Sequence, residues 1–371
     1  MAGRKKAPDF LLMASVLGLL AIGVIMVYSS SAILSEYQFG DSFYYVKRQL
    51  LFAILGVAAM YTMMNIDYWV WKRWAGWLLL ICFLLLLVVL VPGVGLVRGG
   101  ARSWLGVGAF SIQPAEFVKL GLILFLAKML SDRPEWIPSF FRGMVPALLL
   151  SGLAFALVMM QPDLGTGTVL MGTTVVILFA AGSRLAHLGG LAVLGVAAFI
   201  ALIAAAPYRM QRIIAFLDPW QDPLGSGYQL LQSLYAIGPG GLMGLGLGKS
   251  IQKFGYLPEP QTDFIFSILA EELGFIGGAL VLLLFAVLAW RGIRVAMYAP
   301  DFFGSLVAIG IISMIMIQVV INIGVVTGLF PVTGITLPFL SYGGSSLTIV
   351  LTAVGLLLNI SRHAQPFPIR K

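Results

Sequence analysis

The stretch AGWLLLICFLLLLVVLV, residues 75–91, contains no charged side chain and decides the class of this protein. A helix that crosses roughly 30 Å of hydrocarbon needs about 20 apolar residues, because each residue advances it by about 1.5 Å. Working outward from this stretch, similar apolar runs recur along the whole chain. They lie near residues 10–30, 46–65, 115–130, 143–160, 166–182, 185–206, 265–290, 303–327 and 344–360.

The composition agrees with these runs, since hydrophobic residues make up 60% of the chain and charged residues only 10%. We therefore predict an all-α polytopic membrane protein with about ten transmembrane helices. The connections near Asp163 and Arg184 are very short, so one span fewer or one span more is an alternative.

Basic residues predict which side of the membrane each connection faces, because cationic flanks are retained in the cytoplasm. With the N-terminus inside, the inside segments hold most of the Lys and Arg residues, whereas the short outside connections hold Lys47, Arg48, Arg98 and Arg102. This pattern predicts a multi-pass protein of the cytoplasmic membrane with both termini cytoplasmic. The net charge of +8 then reflects the cytoplasmic excess of cations and contact with anionic membrane lipids, and no nucleic-acid partner is expected.

The longest connection, about residues 207–264, lies between the seventh and eighth predicted spans and faces outward. It has no spanning apolar run, but it holds both charge signs, several aromatic residues and many glycines. Long loops translocate largely regardless of their own charge, so its cations do not contradict the topology. The outer basic residues that could neutralise a phosphate group are Arg98, Arg102, Arg209, Arg212, Lys249 and Lys253.

Two common types of site are not predicted. The segment 246–250, GLGKS, is similar to the end of a phosphate-binding P-loop, but position 243 is methionine where that motif needs glycine. The single cysteine, Cys82, lies within a predicted span, and both histidines, His187 and His363, fall on the cytoplasmic side. The sequence therefore predicts no cysteine- or histidine-based metal site at the outer face.

Two pairs of charged residues lie inside predicted spans, where an unpaired charge is costly. Glu116 and Lys119 share one face of the fourth span, so they could form a structural ion pair, line an outward-facing cavity, or do both. Glu271 and Glu272 are adjacent in the eighth span and point about 100° apart. We expect these two to be structural, with an arginine or a backbone amide as partner.

Asp263 is the strongest candidate for chemistry. Thr262 is predicted to cap the eighth span, which would put the Asp263 carboxylate at the first turn of a helix. There it could simply stabilise the helix dipole by about 0.3–1 kcal/mol. Its position at the outer membrane boundary, beside a glycine-rich basic loop, equally suits a general base that meets a lipid-anchored substrate.

Several blocks make the chain similar to a known family from Asp9 through Ser361. The chain resembles the SEDS family (shape, elongation, division and sporulation), of the FtsW/RodA/SpoVE type. Residues 92–95, 217–220 and 258–262 are most similar to the sporulation branch of the family, and the division branch is the second most similar. Ala115 departs from the serine that many relatives have at this position. The most specific blocks are 101–105 (ARSWL), 113–119 (QPAEFVK), 161–166 (QPDLGT), 246–250 (GLGKS), 257–266 (LPEPQTDFIF) and 336–346 (TLPFLSYGGSS).

The resemblance implies a single integral membrane domain over residues 1–371 and a peptidoglycan glycosyltransferase. Such an enzyme polymerises lipid II into β-1,4 glycan at the outer face of the bacterial cytoplasmic membrane, for septal or spore-cortex wall synthesis. The family's catalytic aspartate falls on Asp263. The positions expected to support it are Trp104, Glu116, Lys119 and Glu259. The two serines at the end of the last block, Ser345 and Ser346, are expected to contact the substrate.

The implied chemistry agrees with the charges placed from the sequence. The sugar of lipid II is α-linked to undecaprenyl pyrophosphate, so forming a β-1,4 bond in one displacement inverts the anomeric centre. A base must take the proton of the acceptor 4-hydroxyl while cations stabilise the departing pyrophosphate, which are the roles expected of Asp263 and the outer basic residues. No cofactor is required by the sequence, although a divalent cation, Mg²⁺ or Mn²⁺, could assist the leaving group.

Two other functions remain open at this point. Buried charges also mark transport pathways, so a lipid II flippase is the main alternative. A noncatalytic scaffold for cell-wall enzymes is the second. The resemblance also implies a class B penicillin-binding transpeptidase as partner. A polymerase that binds this crosslinking enzyme keeps it at high effective concentration beside the new glycan.

Overall fold

A computed structural model describes residues 6–98, 101–107, 110–205 and 207–364, without the side chains of Arg98, Val107, Phe110, Leu202, Tyr208 and Arg209. Helices dominate the described residues, and each apolar run predicted from the sequence coincides with one of them. The membrane-region helices are α1 (Phe10–Phe39), α2 (Tyr44–Asn65), α3 (Tyr68–Leu90), α4 (Pro114–Asp132), α5 (Val145–Met159), α6 (Leu164–Ala181) and α7 (Leu185–Ala204), followed after a long connection by α10 (Ile265–Met297), α11 (Phe302–Val326) and α12 (Gly344–His363).

Within the described residues, eight helices are long and apolar enough to cross a membrane, and Leu185–Ala201 is a shorter apolar helix. α4 is not among the eight. It has the length of a span, at 19 residues, but it carries Glu116, Lys119, Lys128 and Asp132. Several boundaries differ from the predicted ones, since α1 continues to Phe39 and α10 to Met297. The multi-pass architecture is confirmed, whereas the count of about ten spans stays a prediction.

The connections contain structure that the apolar pattern did not predict. Between α3 and α4 the chain forms a small antiparallel sheet of β1 (Leu96–Arg98), β2 (Ala101–Val107) and β3 (Phe110–Ile112), in that order. A π-helical turn, Phe140–Met144, leads into α5. The long connection between α7 and α10, called the outer connection because the sequence predicts that it faces outward, contains two α-helices, α8 (Pro207–Leu217) and α9 (Tyr228–Ile237).

The core of the bundle lies around α11 and α12. In their most apolar windows 67% and 72% of the residues are buried, against 28% in both α3 and α10. α7 is at the opposite extreme, because none of its described side chains is buried. Such a helix presents its apolar surface to lipid or to another protein.

Polar contacts at one end of the bundle tie together the helix ends that the charge pattern assigns to the cytoplasm. Arg291, late in α10, donates to Asp9 at the start of α1, with an Nε–Oδ2 distance of 2.9 Å. Lys72 of α3 pairs with Asp132 of α4 at 2.7 Å. The structure thus groups these ends on one side, as the alternating topology requires, while the orientation in the membrane stays a prediction.

The glycine-rich segment 240–246 inserts its backbone into α10. Gly274 has φ 64° and ψ −163°, which breaks the helix, so the Glu271 and Glu272 carbonyls cannot bond to the amides of Phe275 and Ile276 in the usual way. The segment supplies the missing partners on both sides of the break. These bonds are Leu245 N to Glu271 O (2.9 Å), Gly246 N to Glu272 O (3.0 Å), Phe275 N to Gly241 O (2.9 Å) and Ile276 N to Leu242 O (3.1 Å).

The close approach explains why glycine occupies position 244. This residue has φ +77°, and a Cβ atom there would lie 2.1 Å from the Glu272 carbonyl oxygen. A larger residue would be strained by its backbone conformation and would also collide with α10. The outer connection is therefore fixed to the first third of α10.

Candidate active site

Asp263 lies two residues before the start of α10 and at the end of the bundle opposite the Asp9–Arg291 pair. Its carboxylate faces Gly334, where a Cβ atom would lie 3.7 Å from Asp263 Oδ2. Phe264 is the N-cap residue of α10 and makes no side-chain cap bond. Asp263 therefore lies directly before the N-cap residue of the helix.

The predicted cap by Thr262 is wrong. The Thr262 hydroxyl donates to the Glu259 carbonyl oxygen at 3.1 Å and contacts the Glu259 carboxylate at 3.3 Å. Glu259 has φ +50°, in the left-handed region. The segment 259–263 is thus a tight turn whose polar groups bond locally, and sequence alone could not distinguish this turn from a capped helix start.

The environment of Asp263 favours its protonated form. Burial raises the pKa of Asp263 to about 7, and the charges of Glu259 and Asp163 also raise it, whereas Arg212 lowers it. A carboxylate with this pKa is deprotonated for a large part of the time near neutral pH and is still basic enough to accept a proton. These are the properties of a general base.

Asp163 lies in the block 161–166 and is a site residue that was not predicted from the sequence. It caps α6, where its Oδ1 accepts a bond from Thr166 N at 2.9 Å, and its Oδ2 accepts one from Gln113 Nε2 at 3.3 Å. Burial raises the pKa of Asp163, and Glu116 and Lys119 act on it electrostatically. The sequence signal that could have pointed to Asp163 is its position directly after Gln161 and Pro162, at the predicted start of a helix.

Glu116 and Lys119 form the ion pair that their spacing predicted. Lys119 Nζ lies 2.9 Å from Glu116 Oε1, and the two residues are 5% and 3% exposed. The second carboxylate oxygen of Glu116 is buried without a hydrogen-bond partner in the described part of the chain. Through Asp163, this pair is connected electrostatically to Asp263.

Ser345 joins the starts of two helices near this group. Its hydroxyl oxygen accepts a bond from Gln113 N, the N-cap residue of α4, at 3.3 Å, and Ser345 itself lies in the first turn of α12. Ser345 is buried and Ser346 is half-buried. Ser345 therefore links the starts of α4 and α12, whereas a substrate contact by either serine stays a prediction.

Arg212 is the predicted basic residue that the structure brings to Asp263. It is exposed on α8, its Nη1 donates to the Val332 carbonyl oxygen at 3.1 Å, and it lowers the pKa of Asp263. A cavity of about 430 Å³ opens beside it. The cavity is lined by α8 and α9, by the chain between them, and by Pro258 and Val332.

The other predicted basic residues have different surroundings. Lys253 is buried, and its ammonium pairs with Glu272 at 3.0 Å, so its charge is neutralised inside the protein. Lys249 is exposed. Arg102 lies on β2, opposite Val97, and packs its aliphatic part against Gly95. The side chains of Arg98 and Arg209 lie outside the described residues.

Trp104 also lies on β2, opposite Leu96, and is half-buried. The sheet leads directly into Gln113 and α4, so it connects Trp104 to the Glu116–Lys119 pair. The sheet therefore links Trp104 to the ion pair, and all three residues are predicted to support the site.

Glu271 and Glu272 form a separate buried cluster, with a lysine where an arginine was one predicted partner and with the backbone amide that was the other predicted partner. Glu272 accepts bonds from Ser29 Oγ at 2.6 Å and from Lys253 Nζ at 3.0 Å. Glu271 accepts one from Ile251 N at 2.8 Å. These contacts hold the outer connection on α10, which agrees with a structural role.

The carboxylates do not form a metal site in the described residues. No group of three or more His, Cys, Asp or Glu side chains there is placed to hold an ion. The divalent cation suggested from the sequence therefore has no matching set of ligands among the described residues.

The fold and the site define a multi-pass membrane protein with a buried carboxylate network at one end of its helix bundle. Residues 10–366 match the FtsW/RodA/SpoVE family, described as cell cycle proteins, and the chain belongs to this family. It is 64% identical over 365 residues to stage V sporulation protein E of Bacillus subtilis (strain 168), a match that covers 98% of this chain and 100% of that protein.

Other relatives carry an enzymatic name. The chain is 44% identical over 361 residues to the probable peptidoglycan glycosyltransferase FtsW of Trichlorobacter lovleyi, covering 97% of this chain and 95% of that one. Its fold matches a chain from a peptidoglycan synthase complex that coordinates polymerization and crosslinking, with TM-score 0.79 and 34% identity, covering 96% of this chain and 98% of that one.

Proposed function

We propose that this protein is a peptidoglycan glycosyltransferase that polymerises lipid II at the outer face of the cytoplasmic membrane. The observation that carries the proposal is Asp263, a partly buried carboxylate with a pKa of about 7, within electrostatic reach of the exposed Arg212, which itself lines a cavity. Relatives that carry the glycosyltransferase name span almost the whole chain. The site thus supplies the base and the cation that glycosyl transfer from a pyrophosphate requires.

Asp263 is the proposed general base. It takes the proton of the acceptor 4-hydroxyl as this oxygen attacks the anomeric carbon of the donor sugar. The bond between that carbon and the pyrophosphate oxygen breaks in the same step, so the configuration inverts from α to β. A pKa near 7 suits this task, because the base must be free of a proton before the reaction and must hold one after it.

Arg212 is the proposed cation for the leaving pyrophosphate. Its guanidinium is exposed at the cavity of about 430 Å³ and close enough to lower the pKa of Asp263. Guanidinium groups bind phosphate oxygens through two parallel hydrogen bonds. An arginine at this position could therefore stabilise the charge that develops as pyrophosphate departs.

Asp163, Glu116 and Lys119 are proposed to support the base. Asp163 fixes the start of α6 and bonds to the residue that starts α4, so it holds two helices at the site. Lys119 supplies a buried positive charge to a network that otherwise contains four carboxylates, Glu116, Asp163, Glu259 and Asp263. This charge lowers the cost of keeping several acidic groups near one another.

The proposed topology puts the site outside the cell and both termini in the cytoplasm. The cationic segments Arg4–Lys6 and Arg362–Lys371 support it. A class B penicillin-binding transpeptidase is the proposed partner, since a chain of similar fold occurs in a complex that coordinates polymerization and crosslinking.

The test is incubation of purified protein in detergent with labelled lipid II, followed by separation of glycan polymer from monomer. Polymer formed by the protein, alone or with the transpeptidase added, supports the proposal. Movement of labelled lipid II across liposome membranes without polymer would instead indicate a flippase. The absence of both activities, with binding to the transpeptidase retained, would indicate a scaffold.

A further inference from the structure

The backbone just before α10 is held by hydrogen bonds on three consecutive carbonyl groups. The donors come from α11 and from the connection between α11 and α12, both distant in sequence. We call this arrangement the carbonyl clamp. Its pairs are Tyr342 N to Gln261 O (2.8 Å), Ser341 Oγ to Thr262 O (2.6 Å) and Asn322 Nδ2 to Asp263 O (2.8 Å).

Asn322 and Ser341 are the two side chains of the clamp, and both are buried, at 1% and 5% exposure. The Asn322 amide also donates to the Ile335 carbonyl oxygen at 2.7 Å. Both of its partners are carbonyl oxygens, which fixes the orientation of the amide. The Ser341 hydroxyl oxygen accepts a bond from Leu337 N at 2.8 Å, so each side chain joins two backbone segments.

The clamp has its own rigid support. Phe339 has φ +67°, and α1 packs closely against this turn, because a Cβ atom at Gly23 would lie 2.3 Å from the Phe339 carbonyl oxygen. Gln49 of α2, itself fully buried, donates to the Ser341 carbonyl oxygen at 3.2 Å. The donors are therefore fixed by α1, α2 and α11 and not by the connection between α7 and α10.

We propose that Asn322 and Ser341 are positioning residues for glycosyl transfer, which hold the backbone of residues 261–263 so that the Asp263 carboxylate keeps its reactive position. The inference rests on the proposed role of Asp263. A catalytic group must stay within a fraction of an ångström of its productive position, and a displacement of about 1 Å can cost about 100-fold in rate. Residues 259–263 form a turn outside any helix, so they need such support.

The test compares Ser341→Ala, Ser341→Thr and Asn322→Leu with the wild-type protein in the polymerisation assay. Ser341→Ala and Asn322→Leu remove the donors and should lower kcat about 10- to 100-fold, with KM for lipid II changed less than about threefold. Ser341→Thr retains the hydroxyl and should restore most of the rate. Ser313→Ala is the matched control, because Ser313 is buried in α11 and, within the described part of the chain, its hydroxyl bonds inside its own helix, to the Gly310 carbonyl oxygen.

The pH profile separates positioning from general stability. Glu259, Arg212 and Asp163 are the charged groups that act on Asp263, and neither α11 nor residues 327–343 contain a charged side chain. A loosened turn lets water reach the Asp263 carboxylate, so the pH of half-maximal rate should fall in Ser341→Ala. A purely structural serine would leave this pH unchanged.

The outcomes are distinguishable from failure of the proposed function. Full activity in Asp263→Asn would remove the basis of both proposals. If Asp263→Asn is inactive while folded Ser341→Ala keeps the wild-type rate and pH profile, the clamp alone is overturned. The same conclusion follows if Ser341→Thr is no better than Ser341→Ala, or if Ser313→Ala loses as much activity as Asn322→Leu.

Discussion

Lys253 and Glu272 form a buried ion pair at 3.0 Å that fastens the outer connection to the first third of α10. Ser29 of α1 donates to the same carboxylate at 2.6 Å, so three separate parts of the chain meet there. Since the connection carries Glu259 and Asp263 a few residues further on, this pair links the stability of the fold to the geometry of the site.

Removal of Lys253 should therefore destabilise the protein. Lys253→Met leaves Glu272 buried without its cation, which typically costs about 3–5 kcal/mol in the free energy of unfolding. Lys249→Met is the control, because Lys249 is exposed in the same segment and its loss should change stability by less than about 0.5 kcal/mol. Thermal unfolding in detergent measures both variants, and equal unfolding temperatures would show that the buried pair contributes nothing.

Loss of the Glu116–Lys119 pair should reduce stability and polymerisation together. Lys119→Met leaves the nearly buried Glu116 unpaired, and we expect a cost of about 3 kcal/mol with a clear loss of rate. Lys72→Met removes the partly exposed Lys72–Asp132 pair and should cost less than about 1 kcal/mol. A Lys119→Met protein with wild-type stability and rate would exclude the pair from the supporting network.

The pH dependence of polymerisation should report the pKa of Asp263, which is raised to about 7. A general base acts in its deprotonated form, so the rate should rise with pH through about 7 and should fall about tenfold per pH unit well below it. A rate that is independent of pH between about 5 and 8 would contradict the assignment of Asp263 as the base.

The same pKa predicts an effect on stability with the opposite pH dependence. A carboxyl group whose folded pKa lies above its unfolded value of about 3.9 contributes stability that is present below pH 4 and is lost as pH rises through about 7. Asp263→Asn does not titrate, so its unfolding temperature should rise relative to that of the wild type as pH increases from about 5 to 8. Parallel curves would mean that the Asp263 carboxylate is well hydrated.

The topology can be tested with single cysteines in a Cys82→Ser background. Ser226 is exposed beside α9 and Glu135 is exposed between α4 and α5, at connections predicted to face opposite sides. Ser226→Cys should react with an impermeant thiol reagent in intact cells, whereas Glu135→Cys should react only after lysis. The reverse pattern would place Asp263 in the cytoplasm.

The sequence predicted the features that depend on local spacing. Apolar runs located the membrane helices, and the three-residue separation of Glu116 and Lys119 predicted their pairing. The buried role of Lys253 could not be predicted, because it depends on the long-range packing of the outer connection against α10 beside the break at Gly274. The clamp around Asp263 was likewise hidden, since Asn322 and Ser341 reach it by long-range packing.

The most direct test of the account is the polymerisation rate of Asp263→Asn with labelled lipid II at about pH 8. The substitution keeps the size of the side chain and removes the proton acceptor, so the rate should fall by about 10²–10⁴-fold while lipid II binding and the folded state persist. Asp41→Asn, at an exposed outer turn where Asp41 pairs with Lys47, is the matched control and should retain the wild-type rate. A folded Asp263→Asn protein that polymerises lipid II at the wild-type rate would contradict the account.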